Sequence, residues 1–402
     1  MKKSKTIKKA NSPFFWFLRF VFTPVLYLLY RFKFEKKTAK GIKRPCVILA
    51  NHQTVVDQFA VGLGFDFAIN YVASDTIFRH GILSKLMVAL ARPIPFNKGS
   101  SDYVAVKNMI GVIKDGGCVG MFPSGNRSFF GDESTIIFGI GKLAKKFAVP
   151  LVLVQVRGGF LTLARWKVKP CIGKMRASVV RVVQPEELAA MSDTEINAII
   201  NETLCFNEFE YNKTAQIAFH GRHKAEYLES VLFYCPECNS VSGLRSEGNE
   251  FFCRDCGARV RINDTGFFEK INRAEKIPET ILEWGHMQLD YIKSIDFSVY
   301  TDKPVFSDNN ISLYMAERAK RENNLGMGSI ELYSDRLRVC GRDFPITEIT
   351  TAIVGVRKMS IYGKDNVFAV RVPYRINLMK YMICNHYLRN KALGIKEEYY
   401  GY

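Results

Sequence analysis

The chain has 402 residues, enough for two or three domains rather than one. A hydrophobic fraction of 48% with 24% charged residues is that of an ordinary folded protein, and ten cysteines at this length exclude a disulfide scaffold. The net charge of +18 is concentrated rather than spread: residues 1–44 hold thirteen Lys/Arg and a single acid, Glu35. That placement disfavours a nucleic-acid surface and suits an anionic bilayer, where each cation near the surface contributes about 1 kcal/mol.

The first element is the apolar run Ser12 to Phe32, SPFFWFLRFVFTPVLYLLYRF. Its length approaches the roughly 20 residues of a spanning helix. Arg19 interrupts it, however, Pro24 sits in its middle, and aromatic rings crowd it. Rings of this kind favour the membrane interface, so residues 1–34 read as a basic arm and an amphipathic anchor, peripheral or re-entrant. A single span and a buried helix are the alternatives. No small-residue cleavage site follows the run, which argues against a removed signal peptide.

From Pro45 the texture alternates. CVILA, DFAINYVAS, RPIPF, GCVGMFP, VPLVLVQV and RASVVRVVQ read as strands. HGILSKLMVALA, SSDYVAVKNMIGVIKDG, STIIFGIGKLAKKFA and SDTEINAIINETL read as helices. Such alternation predicts an α/β sheet covered by helices over residues 35–215. A helical connector is expected at 216–232 and a double C-x-x-C unit at 233–262. Residues 263–402 begin with mixed texture and become β-rich from Gly328, with turns at Tyr333-Ser334-Asp335 and Gly363-Lys364-Asp365 and one closing helix, NLMKYMICNHYLRNKA.

The strand CVILA runs into NHQTVVD. Residues five apart do not face each other on one helix. The pair His52/Asp57 therefore works if His52 stands on the strand-to-helix lip and Asp57 lies in the first turn and reaches back. Asp57 accepting the Nδ1 proton would leave Nε2 to act as a general base near neutral pH. A lone H-x4-D recurs by chance, but this one has company. FPSGNRS follows about seventy residues later, with Gly125 permitting a tight turn and Arg127 offering a fork matched to phosphate oxygens. Lys98 follows a short strand between the two, and Pro150 opens a later strand.

This ordered set resembles the glycerolipid acyltransferase family, of which the 1-acylglycerol-3-phosphate acyltransferases are typical. The resemblance covers roughly residues 35–210. His52 and Asp57 match the family's first block and Lys98 its second, where Arg is usual. Phe122-Pro123-Ser124-Gly125-Asn126-Arg127-Ser128 matches the third, and Val149-Pro150 the fourth. It implies transfer of an acyl group from acyl-CoA or acyl carrier protein to a lysolipid hydroxyl, with no catalytic cofactor. Basic residues of the second and third blocks would hold the acceptor phosphate. Lys98, Ser124, Gly125, Asn126 and Arg127 are thus the expected substrate-binding set. Ser124 and Asn126 replace the family's usual Glu and Thr, which puts the acceptor in question. Another lysolipid or a glycolipid is an alternative acceptor, and a catalytically silent membrane adaptor is an alternative role.

Cys235 and Cys238 (CPEC) and Cys253 and Cys256 (CRDC) have the spacing of a zinc ribbon. Four thiolates would close a structural Zn²⁺ site with no open position for chemistry. The β-rich tail with its single final helix resembles a pleckstrin-homology-like domain in texture. The expected protein is an α/β glycerolipid-acyltransferase-like catalytic domain with a small zinc ribbon and a β-rich C-terminal domain. Its expected place is the cytoplasmic face of a membrane, with anionic phospholipid, a lysolipid such as lysophosphatidic acid and an acyl thioester as partners.

Overall fold

The computed structural model describes residues 7–74, 88–96, 103–132, 139–316, 322–353, 356–363 and 366–395. It divides into two units, Met1–Ala164 with Pro170–Phe219, and Arg165–Lys169 with His220–Tyr402.

The first unit is built on a seven-stranded sheet. In chain order its strands are β1 (Lys33–Phe34), β2 (Val47–Ala50), β3 (Ile69–Ser74), β4 (Ile94–Phe96), β5 (Cys118–Met121), β6 (Leu151–Arg157) and β7 (Arg176–Val183). They lie side by side in the order β1-β7-β6-β2-β5-β3-β4. Every pairing is parallel except β6 with β7. Its helices include α1 (Ser12–Tyr30), α2 (Asp57–Gly62), α3 (Tyr103–Lys114), α4 (Ile140–Phe147), α5 (Gly159–Leu163), α6 (Pro185–Ala190), α7 (Asp193–Leu204) and α8 (Glu208–Ala215).

The near-continuous apolar strands of the sequence have a simple cause: the sheet is buried on both faces. Val47 and Leu49 point into one core, with Met109 and Val112 of α3, Phe147 of α4 and Ile196 and Ile200 of α7. Ile48 and Ala50 point into the other, with Leu26 and Tyr30 of α1 and Ala60 and Val61 of α2. Helix α7 starts on a capping box in which Ser192 and Glu195 each satisfy the other's backbone N–H.

Helix α1 continues through Pro24 without a break. One side of it is docked: Phe22 stacks on Phe59 at 3.9 Å, Leu26 and Tyr30 are buried, and Arg19 donates to Phe65 O at 2.6 Å. The opposite side, with Trp16, Phe17, Phe20, Tyr27 and Leu28, is exposed, Phe20 by 81%. Leu26, Tyr30, Phe32 and Phe34 belong to the core, and β1 is a strand of the sheet.

In the second unit a four-stranded antiparallel meander comes first: β8 (Leu244–Glu247), β9 (Glu250–Cys253), β10 (Arg259–Ile262) and β11 (Phe268–Asn272). Helix α9 (Ile281–Ser294) follows, opened by a Thr280/Glu283 capping box. Then come seven antiparallel strands: β12 (Phe306–Ala316), β13 (Asn323–Leu332), β14 (Arg336–Val339), β15 (Arg342–Pro345), β16 (Thr350–Ile353), β17 (Lys358–Tyr362) and β18 (Val367–Arg371). Their order is β15-β14-β13-β12-β18-β17-β16, and α10 (Met379–Leu393) closes the unit.

Several elements differ from the sequence reading, among them the short helices α5, α6 and α8, and two differences are larger. The expected helix at 216–232 is irregular apart from a short 3-10 turn at Leu228–Ser230. Tyr227 is left-handed there, with φ 69°, and its N–H is taken by the Ser246 hydroxyl, so no helical ladder forms. Helix α9 was not anticipated at all. Of the helix expected at HGILSKLMVALA, most lies outside the described residues.

Candidate active site

The site stands where two adjacent parallel strands end. β2 and β5 run in register, Leu49 opposite Met121, so the segments that follow them emerge side by side at the carboxyl edge of the sheet. After β2 comes Asn51, buried, whose side chain accepts from Val156 N at 2.6 Å and donates to Val156 O at 2.8 Å. It extends the β2–β6 ladder by one side-chain rung and fixes where the chain leaves the sheet.

His52 then stands on the lip and Asp57 opens α2. His52 Nδ1 lies 2.8 Å from Asp57 Oδ2. The same oxygen accepts the N–H groups of Gln53 at 2.6 Å and Thr54 at 2.8 Å, and Oδ1 accepts the Thr54 hydroxyl at 2.6 Å. Asp57 is fully buried, and this set of donors is what makes a buried carboxylate tolerable. An ionised carboxylate only accepts, so His52 presents its Nδ1 proton to Asp57, which leaves Nε2 as the nitrogen that can take one.

The segment after β5 walls the imidazole. Phe122 stacks on His52 with ring centres 4.2 Å apart and planes at 20°, and Tyr71 from β3 lies behind Phe122, nearly parallel, at 6.1 Å. Burial raises the Tyr71 phenol far above its ordinary range, and the Asp57 charge adds to the effect. The turn that carries Arg127 is tight: Gly125 has φ 68°, and its N–H returns to Phe122 O at 2.9 Å. The Ser124 hydroxyl donates to Asn126 O at 2.9 Å, and the residue is 1% exposed, so its proton braces this turn. Ser128 N donates to His52 O at 2.8 Å, which locks the two segments together. Arg127 is partly buried. Burial pulls its pKa below the usual guanidinium value, and the nearby Asp57 charge works against that.

Behind the lip is a residue the sequence reading missed. Glu208, the first residue of α8, is 0% exposed and accepts from Gly158 N at 2.7 Å. Burial pushes its carboxyl up to about 7, against the hydrogen bonds from Gly158, Gln53 and Phe160 that favour the charged form. Gln53 Oε1 accepts from Gly159 N at 3.1 Å, and Glu208 N donates to Gly131 O at 2.8 Å. The start of α8 therefore ties both site segments to α5.

Of the expected site residues, His52, Asp57, Ser124, Gly125, Asn126 and Arg127 come together. Lys98 lies outside the described residues. Pro150 stands at the other end of the sheet: Val47 pairs with Leu151, and Val47 N donates to Pro150 O at 2.9 Å. The fourth block thus sets the start of β6 and does not face His52.

In the second unit Cys235, Cys238, Cys253 and Cys256 bring their sulfurs within 4.8 Å of one another. Two C-x-x-C turns present them, closed by Asn239 N to Cys235 O and Gly257 N to Cys253 O. The residue after each second cysteine must turn left-handed, and Asn239 (φ 62°) and Gly257 (φ 79°) are types that do so readily. The Cys235–Cys256 and Cys238–Cys253 sulfur distances are both 3.8 Å. Tetrahedral thiolates at a Zn–S distance of about 2.3 Å require about 3.8 Å.

Residues 31–157, which hold this His/Asp site, match the model of the Acyltransferase family, and the chain is an acyltransferase. It is 26% identical over 162 residues, 39% of its length and 79% of the relative's, to a 1-acyl-sn-glycerol-3-phosphate acyltransferase of Bacillus subtilis (strain 168). Among solved structures it is similar to the 1-acyl-sn-glycerophosphate (LPA) acyltransferase PlsC of Thermotoga maritima, at 19% identity and a TM-score of 0.41, covering 47% of this chain and 76% of that one.

Proposed function

We propose that the chain acylates the free hydroxyl of a lysophosphatidic-acid-type lipid, using an acyl thioester as donor, in phospholipid synthesis. The single observation that carries this is the His52–Asp57 pair at 2.8 Å beside the Arg127 turn, and the named relative from Bacillus subtilis acts on such a lipid. In this reading His52 Nε2 takes the proton of the acceptor hydroxyl as its oxygen attacks the thioester carbonyl. Asp57 holds the ring and stabilises the imidazolium that forms. The carbonyl C–S bond then breaks and the thiolate leaves with the proton that His52 returns. Arg127 grips the acceptor phosphate, and Lys98 joins it. Ser124 acts through the turn that aims Arg127.

The exposed face of α1 and the basic residues around it fit a membrane anchor on the cytoplasmic face, where a lysolipid is delivered from the bilayer itself. The four cysteines fit a structural zinc ribbon. Seven antiparallel strands, in runs of four (β12–β15) and three (β16–β18) joined by the β12–β18 pairing, then one closing helix, fit the order of elements of a pleckstrin-homology-like domain.

The test is a panel of phosphorylated and dephosphorylated acceptors with a labelled acyl thioester, read by lipid mass spectrometry, for the native chain and Arg127→Ala. The variant should raise KM for the phosphorylated acceptor and lower kcat, since misplacing the hydroxyl by an ångström costs about 10²-fold. The dephosphorylated analogue should be affected much less. Equal losses on both acceptors would remove the phosphate clamp and point to the alternative lysolipid or glycolipid.

A further inference from the structure

A groove lined by cations lies away from His52, in the first unit. The 3-10 turn Lys36–Ala39 and the residues up to Ile42 face the loop Gly64–Phe67 across a groove of about 400 Å³. Lys36, Lys37 and Lys40 line it, and all three are exposed. Asp66 is the acidic lining residue; it is turned outward, 84% exposed, and lies 3.4 Å from Arg19 of α1. Ile42, Phe65 and Phe67 give the groove an apolar floor. Its two walls are both tied to the anchor helix. One follows α1 directly through β1, and the other is held by Arg19, which donates to Phe65 O.

The exposed arc of α1 carries no charge. Trp16, Phe20 and Tyr27 repeat at helical spacing, flanked by Phe17 and Leu28. A soluble surface has no use for so many uncovered rings on one helix, whereas the interface of a bilayer accommodates them. A cationic groove whose wall is held to α1 by Arg19, taken with that helix's uncharged, apolar exposed face, offers the two chemistries that match a phospholipid, one for the anion and one for the chains.

We propose that this groove holds the phosphate of an anionic bilayer phospholipid, whose acyl chains lie against the exposed face of α1. This rests on the membrane-anchor reading and deepens it. The helix supplies affinity for any bilayer, and the groove supplies preference for an anionic one. The bound lipid would also fix how the domain is oriented on the membrane, and therefore how the His52 lip meets its acceptor.

The experiment is flotation of the full chain with vesicles of phosphatidylcholine alone and of phosphatidylcholine with phosphatidylglycerol. Three variants are compared with the native protein: Lys36→Gln/Lys37→Gln/Lys40→Gln in the groove, Lys8→Gln/Lys33→Gln/Lys43→Gln outside it, and Phe20→Asp/Leu28→Asp on the helix. The lysines are exposed, so folding is not at stake. Each surface cation contributes about five-fold, so the groove triple should lose about 10²-fold on anionic vesicles and little on neutral ones. The control triple should lose less, most clearly near 1 M salt, where screening within about 3 Å removes diffuse attraction but leaves direct contacts. The helix variant should weaken binding to both kinds of vesicle. Equal losses from the two lysine triples at every salt concentration would overturn the groove as a site. A helix variant that floats like the native chain, or a native chain that binds neither vesicle, would instead overturn the anchor reading.

Discussion

Replacing Asp57 by Asn removes a charge and almost nothing else. Oδ2 accepts three donors, from His52 Nδ1, Gln53 N and Thr54 N, while Oδ1 faces only the Thr54 hydroxyl. An amide placed with its oxygen at the Oδ2 position keeps all three, and its NH₂ meets a hydroxyl that can turn to accept. The flipped amide would set NH₂ against the two backbone N–H donors of Gln53 and Thr54, which disfavours it. The histidine tautomer is therefore retained, and the loss is electrostatic. Charge centres about 4 Å apart at an effective dielectric of about 20 attract by about 4 kcal/mol. Each 1.4 kcal/mol or so is ten-fold in rate, so kcat should fall by about 10³-fold. Thiol release from an acyl thioester, with lysophosphatidic acid as acceptor, measures it. Acceptor KM and the thermal midpoint should stay near those of the native chain. A kcat within ten-fold of the native value, in a variant of unchanged stability, would refute the claim that Asp57 stabilises an imidazolium.

Glu208→Gln should flatten the pH dependence of stability. The folded chain keeps a carboxyl proton up to about 7 that the unfolded chain releases near 4.5, so stability falls as pH rises through that window. The amount is about 3 kcal/mol at 1.36 kcal/mol per unit. Urea titrations on the two sides of the window give the difference directly, and a native chain equally stable on both sides would contradict the burial argument. The purified chain should carry one Zn²⁺, lost in Cys235→Ser/Cys238→Ser. Hydrogen exchange should then loosen the β8–β11 meander before the acyltransferase sheet, and a chelator-free preparation without zinc would sink the ribbon.

The sheet was legible because its strands are buried on both sides. VILA, CVGM and LVLVQV leave no polar alternation to misread, and the Gly116-Gly117 stop of α3 stands plainly in the sequence. The connector was not legible, because HGRHKAEYLESVLF has helical spacing while its backbone is claimed by Ser246 on a distant strand. The T-x-x-E signal of Thr280 and Glu283 did announce α9, yet it lay in a stretch whose texture was otherwise mixed. In the site, local spacing was enough to pair His52 with Asp57. Asn51 and Gln53 stood inside the same motif, but their partners, Val156 and Gly159, lie more than a hundred residues away. Glu208 carries no motif at all; only the fold shows that it closes the back of the lip. Pro150 opens β6, as the sequence reading has it, but the order of motifs along the chain does not show that this start lies at the end of the sheet away from His52.

The central claim is that His52 takes the proton of a lipid hydroxyl. The direct measurement is single-turnover acyl transfer from a labelled thioester to lysophosphatidic acid by the native chain and by His52→Ala, on the same vesicles. The variant should bind vesicles like the native chain and transfer at least about 10²-fold more slowly. Transfer at the native rate by a clean His52→Ala preparation would contradict the account.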